Sequence, residues 1–408
     1  MKILQINNTY MNLGGSEKYL FDICAELERD GHETVILSSA DFEHIQTDRR
    51  KEYFIPPSGG YRSGRIVFRQ IEEILEMEKP DVIHLHNTHW FLSPLITRKL
   101  PGLCPTVRFI HDVRLFCLIE KKLIRNGETV CTYPLGADCF FRRCYRHGFE
   151  LDCYPERTAR FFLGWVGLTF LELSATKKVH VLIVGSEYMK RELIRNHFDG
   201  TRIVVAPLFL NDVPDRKSLP EKKKDLIFYV GRFDGTKGAD ELIQSLNLLK
   251  DESWHAVMLG DGKYKEGAAQ RIEATGLSGR ITLQERIARE DVYRYYGEAM
   301  VVVMPSMIPE SFGYVGLEAF AHGTPVIAFN VGGVEQWLKD GMNGYLLERG
   351  DVEGLAEKIR FFLNNPGEAE RMGRQGRVAV EEEFSGEKHM AMVFQAYEQA
   401  MDLFCRRN

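Results

Sequence analysis

Residues 309–319 combine acidic side chains with glycines in a spacing suited to binding a sugar phosphate. Glu310 and Glu318 lie eight positions apart and flank a glycine turn at a predicted helix start. Carboxylate oxygens are good acceptors for the hydroxyl groups of a sugar. The backbone N–H groups that open a helix bind phosphate oxygens, and here residues 313–315 would supply them. The alternative is a helix N-terminus that carries acids only because they favour the helix.

Residues 231–238 place two cations on a glycine-rich turn. Arg232 and Lys237 lie five positions apart, after a predicted strand and before a predicted helix. Two fixed cations beside a helix N-terminus would neutralise the diphosphate of a leaving group. The spacing differs from that of a Walker loop. The alternative is a solvated pair of side chains on a surface loop.

Histidines occur at and after predicted strands in the first half of the chain. His111 directly follows an apolar strand, where it could bond a sugar hydroxyl or support a transition state. An isolated histidine is, however, more commonly a buried structural residue. His84 and His86 alternate on another predicted strand and could line the same region. Metal ligation by these histidines would need a third ligand, which the nearby sequence does not supply.

The first loop of the chain places two glycines before a helix. Gly14 and Gly15 would let the backbone approach a ligand, and the helix N-terminus behind them would favour an anion. The alternative is a loop that needs only a positive φ, with Ser16 as the helix cap. This loop alone does not decide between the two interpretations.

Short apolar runs alternate with longer amphipathic segments along the whole chain. In the first half, strands are predicted at residues 1–7, 34–38, 81–85, 106–110, 180–184 and 203–206. In the second half, strands are predicted at residues 226–230, 256–259, 281–283, 300–304 and 325–329. Most of these runs are apolar throughout, which favours parallel sheets that are buried on both faces. The pattern predicts an α/β protein with two Rossmann-like, doubly wound parallel-sheet domains and ligands beyond the carboxyl ends of the strands.

A change of composition predicts the boundary between the two domains. Residues 207–224 hold three prolines and a charged run, which is typical of a linker. We therefore expect one domain over residues 1–207, with a cysteine-rich insertion at about 112–155, and a second over residues 208–388. A last helix pattern follows the second domain.

Composition excludes several classes of protein. The chain has 408 residues and 44% hydrophobic content, enough for two domains. Its net charge of −5 lacks the basic excess of a dedicated nucleic-acid binder, so no nucleic-acid partner is expected. No signal peptide is expected, and no uncharged run reaches the roughly 20 residues of a spanning helix. We predict a cytoplasmic protein with reduced cysteines that can touch the inner face of a membrane.

Taken in order, the motifs resemble those of the large retaining glycosyltransferase family with the two-Rossmann (GT-B) fold that includes bacterial mannosyltransferases and sucrose synthases, family 4. The resemblance covers nearly the whole chain. It rests on an ordered set of motifs: Gly14-Gly15, His111, Gly231-Arg232, Lys237-Gly238, Gly260-Asp261-Gly262, and Glu310 with Glu318. The resemblance implies two domains that face a cleft, with the acceptor side in the first domain and the donor side in the second. It also implies that the helix at residues 389–408 returns to the first domain.

The resemblance implies a metal-independent hexosyltransferase that uses a nucleotide diphosphate sugar as donor and a glycan or a lipid-linked sugar as acceptor. Arg232 and Lys237 would hold the diphosphate, Glu310 the sugar hydroxyls, and Glu318 the ribose. His111 would assist the transition state, so the catalytic set is His111, Glu310, Arg232 and Lys237. Further donor contacts would come from Gly14, Gly15, Gly231, Gly260, Phe312, Gly313, Tyr314 and Val315.

The family usually retains the anomeric configuration by front-side attack, with the leaving phosphate as the base. No Asp-x-Asp motif occurs in the chain. Arg232 and Lys237 would then supply the positive charge, and no catalytic cofactor is expected. Two rival functions are a nucleotide-sugar 2-epimerase on the same fold and a non-catalytic sugar-binding partner of another transferase. The sequence leaves the donor base, the acceptor and the oligomeric state open.

The insertion after His111 is rich in cysteine. Five cysteines fall within 37 residues: Cys117, Cys131, Cys139, Cys144 and Cys153. The pair Cys139 and Cys144 has a spacing compatible with a metal knuckle. One hypothesis is therefore a structural zinc held by Cys117, Cys131, Cys139 and Cys144. The alternatives are packed reduced thiols or a disulfide.

An apolar segment at residues 161–171 follows the insertion. It is flanked by four basic residues, Arg157, Arg160, Lys177 and Lys178. The segment is too short to span a bilayer. We favour a buried core helix over an interfacial helix that serves a lipid-linked acceptor.

Overall fold

A computed structural model describes residues 1–11, 14–41, 50–58, 61–89, 91–124, 129–144, 146, 158–285 and 287–406. The chain divides into two compact units. The first is Met1–Leu208 together with Gly386–Asn408, and the second is Phe209–Ser385. The first unit is thus built from two separate stretches of sequence.

The first unit is organised around a 7-stranded parallel sheet with the order β3-β2-β1-β4-β5-β8-β9. Its strands are β1 Lys2–Ile6, β2 Glu33–Ser39, β3 Lys51–Ile55, β4 Val82–Leu85, β5 Thr106–Ile110, β8 Val181–Val184 and β9 Ile203–Val205. Strands β6 Leu123–Ile124 and β7 Thr129–Val130 form a separate antiparallel pair. The central strands are buried along their whole length, as expected for a sheet covered on both faces.

Helices cover the first sheet. In chain order they are α1 Gly15–Arg29, α2 Tyr61–Glu78, α3 Pro94–Lys99, α4 Ala137–Phe141, α5 Ala159–Thr176 and α6 Glu187–Arg195. The last helix, α13 Gly386–Cys405, packs against β5 and β8 of the same sheet. Tyr397 of α13 is fully buried and bonds His84 of β4, with 2.9 Å between the hydroxyl oxygen and Nδ1.

The second unit contains a 6-stranded parallel sheet with the order β12-β11-β10-β13-β14-β15. Its strands are β10 Leu226–Val230, β11 His255–Leu259, β12 Ile281–Gln284, β13 Val301–Met304, β14 Val326–Phe329 and β15 Gly344–Leu347. The helices are α7 Ala239–Asn247, α8 Lys265–Ala274, α9 Arg289–Glu298, α10 Tyr314–Ala321, α11 Val352–Asn364 and α12 Pro366–Glu382. The strand order reverses between β10 and β13, where a doubly wound sheet places its ligand.

The predicted pair of parallel-sheet α/β domains is confirmed. Two edge strands, β3 and β15, were not predicted. Strand β3 begins with Lys51 and Glu52 and is only partly buried, and β15 is likewise half-buried beyond Gly344. Strand β3 therefore lacks the continuous apolar character of most inner strands, whereas the sequence of β15 is apolar but short.

The prediction that residues 161–171 form a buried core helix is wrong. The segment lies in α5, where Leu163 is 69% exposed and Leu171 is 53% exposed. Only the last part of α5 is enclosed, around Leu173 and Thr176. Within the described residues, no helix is long and apolar enough to cross a membrane.

Candidate active site

The two loops at the reversal point of the second sheet carry the predicted charged residues. Lys237 lies between β10 and α7, and Glu310 lies between β13 and α10. Lys237 Nζ is 2.6 Å from Glu310 Oε1. Ser306 also donates its hydroxyl to the same carboxylate oxygen. Residues 73 positions apart in sequence are therefore brought together because their strands are neighbours in the sheet.

The electrostatic environment keeps Glu310 ionised. Burial of the carboxylate would raise its pKa, but the adjacent Lys237 ammonium and the Ser306 hydroxyl outweigh burial and lower the pKa. Arg232 contributes further positive potential in the same direction. The site thus holds a fixed carboxylate acceptor and a fixed ammonium donor side by side.

Arg232 is much more accessible than Lys237. Its side chain is 69% exposed, against 23% for Lys237. Its guanidinium lies 3.4 Å from the Asp234 carboxylate. Such an exposed pair is worth little in stability and leaves the guanidinium accessible to a phosphate.

Two glycines allow the loops of this site to approach one another. Gly238 has φ +74°, and a Cβ there would lie 1.8 Å from the Pro305 carbonyl oxygen. Gly260 has φ +151°, and a Cβ there would lie 1.9 Å from the Gly231 carbonyl oxygen. Only glycine fits at either position, because the backbone conformation and the space both exclude a side chain. Gly231 itself donates its N–H to Leu259 at 3.0 Å.

The N-terminus of α10 lies directly after Glu310. Gly313 is the N-cap with φ 110° and has no side chain with which to cap the helix, and Tyr314 and Val315 form the first turn. Such a turn presents N–H groups to an anion. Phe312, by contrast, is fully buried, and its carbonyl accepts a hydrogen bond from Trp337 Nε1 at 2.7 Å. Its side chain packs inside the unit, so Phe312 could contact a nucleotide-sugar donor only through its backbone.

Glu318 lies within α10 and is bound by α9. Tyr296 donates its hydroxyl to Glu318 Oε2 at 2.9 Å. Burial of Tyr296 and the charge of Glu318 raise the pKa of the phenol, so it remains a hydrogen-bond donor at neutral pH.

The corresponding edge of the first sheet carries histidines. His111 follows β5, and its Nε2 lies 3.2 Å from His86 Nδ1. His86 Nε2 in turn lies 2.7 Å from Oε1, the side-chain carbonyl oxygen of Gln5. Because a carbonyl only accepts, His86 carries its proton on Nε2 and accepts at Nδ1, so His111 donates from Nε2. Burial lowers the pKa of His86 to about 3 and that of His111 well below its usual range, so both rings are neutral at pH 7.

A pocket in the first unit lies beside His111. Its walls include residues that follow β4 and β5 and residues of α5: Asn87, His111, Asp112, Arg114, Trp165 and Leu168. The Arg114 guanidinium lies 2.9 Å from the Asp112 carboxylate. Burial lowers the pKa of Arg114, but this carboxylate raises it, and the net effect is an increase. The pocket therefore offers neutral, acidic and basic polar groups next to an aromatic side chain.

The first glycine loop opens helix α1 with an extended backbone. Gly14 has an extended backbone with φ −157° and is itself the N-cap of α1. The alternative of a positive φ with Ser16 as cap is therefore wrong. Ser16 instead donates its hydroxyl to Glu17 at 2.9 Å. Gly15 is the first residue of α1, so the pair does open a helix.

The predicted zinc site is not found. Among the described residues, no group of three or more His, Cys, Asp or Glu side chains is arranged to hold a metal ion. Four of the insertion cysteines are buried free thiols: Cys117, Cys131, Cys139 and Cys144. Burial raises the pKa of the Cys144 thiol to about 12, which opposes the thiolate form that binds zinc. Cys153 lies outside the described residues.

The sequence analysis did not identify several residues of these sites. Ser306 and Tyr296 contact the two predicted glutamates, and Gln5 orients His86. Ser306 lies two residues after a buried strand, a position from which it could have been predicted as a site residue. Tyr296 lies on a helix and Gln5 inside a strand, where no local pattern marks a site.

Comparisons with known proteins agree with this architecture. Residues 13–212 match the family model Glycosyltransferase Family 4, and residues 212–379 match Glycosyl transferases group 1. An uncharacterised glycosyltransferase of Methanocaldococcus jannaschii is 30% identical over 236 residues, which are 58% of this chain and 64% of that protein. The capsular polysaccharide biosynthesis glycosyltransferase CapM of Staphylococcus aureus is 32% identical over 182 residues, 42% of this chain and 47% of CapM. The matches thus span less than two thirds of the length of these relatives.

Solved structures share the fold over nearly the whole chain. Sucrose-phosphate synthase of Thermosynechococcus elongatus superposes with a TM-score of 0.68 at 19% identity, covering 98% of this chain and 99% of that one. Anabaena Alr3699/HepE in complex with UDP-glucose gives a TM-score of 0.69 at 18% identity, with 98% and 100% covered. With the two family models matching in succession and the charged loops at the strand ends, the chain belongs to the family 4 glycosyltransferases.

Proposed function

We propose that this protein transfers a hexose-type sugar from a nucleotide diphosphate sugar to a glycan or a lipid-linked acceptor, with retention of configuration and without a catalytic metal. The observation that carries the proposal is the Lys237–Glu310 pair at the reversal point of the second sheet. The UDP-glucose bound to the structurally similar Alr3699/HepE supports a nucleotide sugar as donor. The name of the relative CapM supports an acceptor in polysaccharide biosynthesis at the cell envelope.

The donor diphosphate binds the cations of the second unit. Negative charge accumulates on the leaving phosphate as the bond between the sugar and that phosphate breaks. Lys237 and Arg232 stabilise this charge, with the N-terminus of α10 as a further positive partner. Gly231 and Gly260 allow the backbone to lie close to the diphosphate. Protein cations thereby do the work that a metal ion does in other transferases.

The two glutamates bind hydroxyl groups. Glu310 accepts hydrogen bonds from the donor sugar, because its lowered pKa keeps it ionised. Glu318 accepts from the ribose. The ion pair with Lys237 also makes Glu310 a poor nucleophile, which favours front-side attack over a covalent glycosyl-enzyme.

The acceptor binds in the pocket beside His111. Trp165 supplies an aromatic face against which a sugar ring packs, and neutral His111 bonds a hydroxyl. In front-side attack, the acceptor oxygen bonds the anomeric carbon on the face from which the phosphate leaves. The acceptor hydroxyl proton passes to an oxygen of the departing phosphate, so no protein base is required.

Donor identification and product analysis test this proposal together. The thermal midpoint should rise with one of UDP-, GDP- or ADP-glucose, because a ligand of the native state stabilises it. Incubation with that donor and a panel of glycans should release free nucleotide and form a product with the anomeric configuration of the donor by NMR. Activity should persist in EDTA.

Three outcomes would contradict the proposal. A new nucleotide sugar formed without acceptor would identify a 2-epimerase. Neither a thermal shift nor nucleotide release with any donor would identify a non-catalytic partner. A product with the inverted configuration would reject front-side attack.

A further inference from the structure

We propose that the exposed face of α5, with the basic residues around its start, docks on an anionic lipid bilayer. The proposal goes beyond sugar transfer, because it assigns an interaction surface to the part of α5 around Leu163 and Leu171, which does not line the acceptor pocket. The argument uses exposure, packing and charge of the described residues.

The outward face of α5 is apolar. Leu163 is 69% exposed, Leu171 is 53%, Leu168 is 38% and Phe170 is 36%. Gly164 and Gly167 are exposed between them. A helix that is apolar on all sides is normally buried, and contiguous exposed apolar surface marks an interaction site.

The opposite face of α5 already has its partners within the unit. Phe161, Phe162 and Trp165 pack against the buried cluster formed by Cys117, Ile119, Ile124, Cys131 and Cys144. Trp165 also donates its indole N–H to the Leu118 carbonyl at 3.0 Å. At its C-terminal end, Glu172 forms a buried ion pair with Arg108 at 2.6 Å. These contacts fix the helix and hold the outward face at the surface.

Exposed basic residues lie at the start of α5 and in the insertion that precedes it. Arg160 is exposed one turn before Leu163, and Arg142, Arg143 and Arg146 of the insertion are exposed as well. Arg142 stacks over Tyr133, which itself packs against the cysteine cluster beneath α5. Phe141, next to Arg142, is 83% exposed. The chain as a whole has a net charge of −5, so this basic region runs against the overall charge.

This combination fits a membrane surface better than a protein partner. Leucine and phenylalanine enter the boundary between headgroups and acyl chains, while arginines bind anionic headgroups. Docking would place the bilayer beside the pocket that contains His111, because Trp165 and Leu168 belong both to α5 and to the pocket wall. If the proposed function holds, this geometry delivers a lipid-linked acceptor to the pocket.

Vesicle flotation of the purified full chain tests the proposal without any sugar substrate. The protein should float with vesicles that contain phosphatidylglycerol, and it should float less in high salt or with neutral phosphatidylcholine alone. The variant Leu163→Glu/Leu171→Glu should reduce the bound fraction at least about tenfold, since it removes apolar area and adds negative charge. Neither leucine lines the pocket, so transfer to a water-soluble acceptor should be unchanged.

Ile66→Glu/Met77→Glu is the matched control. Ile66 is 62% exposed and Met77 is 63% exposed on α2 of the same unit, so the double substitution adds the same two negative charges at similar exposure. Its flotation should equal that of the parent. The proposal is overturned if the parent does not float, or if the control and the α5 variant lose binding equally. A parent dimer in sedimentation that the α5 variant converts to monomer, without any vesicle binding, would assign the face to a second copy instead.

Discussion

The two sheets have the same strand order around their reversal points but differ in the chemistry at their carboxyl ends. The second sheet presents fixed charges, with Lys237 and Glu310 2.6 Å apart and Arg232 nearby. The first sheet presents two neutral rings beside the Asp112–Arg114 ion pair, with His111 bonded to His86 and the pKa values of both histidines lowered by burial. A shared topology therefore supports two kinds of recognition, one suited to a diphosphate and one suited to a hydroxyl.

The difference matches the needs of the two proposed ligands. A diphosphate needs cations that are already in place, because moving them during the reaction costs energy. A hydroxyl needs an oriented neutral donor or acceptor. The carboxyl end of the second sheet, with Lys237 and Glu310, is the charged edge, and that of the first sheet, with His111 and His86, is the neutral edge.

The largest effect is expected at the charged edge. Lys237→Ala should lower kcat/KM at least about a hundredfold, since the charge of the leaving phosphate loses a fixed partner. Steady-state kinetics with the identified donor measures it. Lys250→Ala, a surface lysine of the same unit, should leave turnover unchanged. Parent-like activity of Lys237→Ala would remove the basis of the site assignment.

A smaller effect is expected at the neutral edge. His86→Gln should lower kcat about tenfold, because His86 orients His111. The KM for the donor should stay unchanged, because the cations proposed to bind the donor lie in the second unit and His86 lies in the first. His84→Gln is the control, since His84 stacks on His86 at 4.4 Å between ring centroids but bonds Tyr397. Equal losses of kcat in both variants would indicate general destabilisation rather than orientation of His111.

The smallest effect concerns stability against pH. Burial lowers the pKa of His389 to about 4, so the folded protein keeps this ring neutral between pH 4 and 6.5 while the unfolded chain binds a proton. The free energy of unfolding therefore falls as pH drops below about 6.5. His389→Gln should reduce the loss between pH 7 and pH 6 by about 0.7 kcal/mol.

Urea denaturation at pH 7 and pH 6 provides the measurement. A pH dependence that is identical in the parent and in His389→Gln would show that His389 does not titrate on unfolding in this range.

The sequence predicted every inner strand of the two sheets and two of their four edge strands, β9 and β12, but missed the edge strands β3 and β15. Strand β10 is a continuous apolar run and β5 is apolar apart from Thr106 and Arg108, and the predicted bounds of both match those of the structure. The partly charged edge strand β3 has no comparable signal. The exposed face of α5 was mispredicted for a related reason, because apolar composition normally implies burial and does not reveal which face stays open.

Charged residues of the site were identifiable because they follow strands. Arg232, Lys237 and Glu310 lie in loops at carboxyl ends, where parallel sheets place ligands. The distances between these side chains could not be predicted from the sequence, because the Lys237–Glu310 contact depends on the pairing of β10 with β13. Gln5 is hidden for another reason: it lies inside a buried strand, and only the position of His86 gives it a role.

The return of α13 to the first sheet has a consequence for how the protein is made. Tyr19 of α1 bonds His389 at 2.9 Å, and His84 of β4 bonds Tyr397, so early residues depend on the last helix for their partners. A ribosome synthesises the second unit before it reaches α13. The unit that emerges first is thus the unit that matures last, and a nascent chain must keep its β4, β5 and β8 surface from aggregating until α13 has been synthesised.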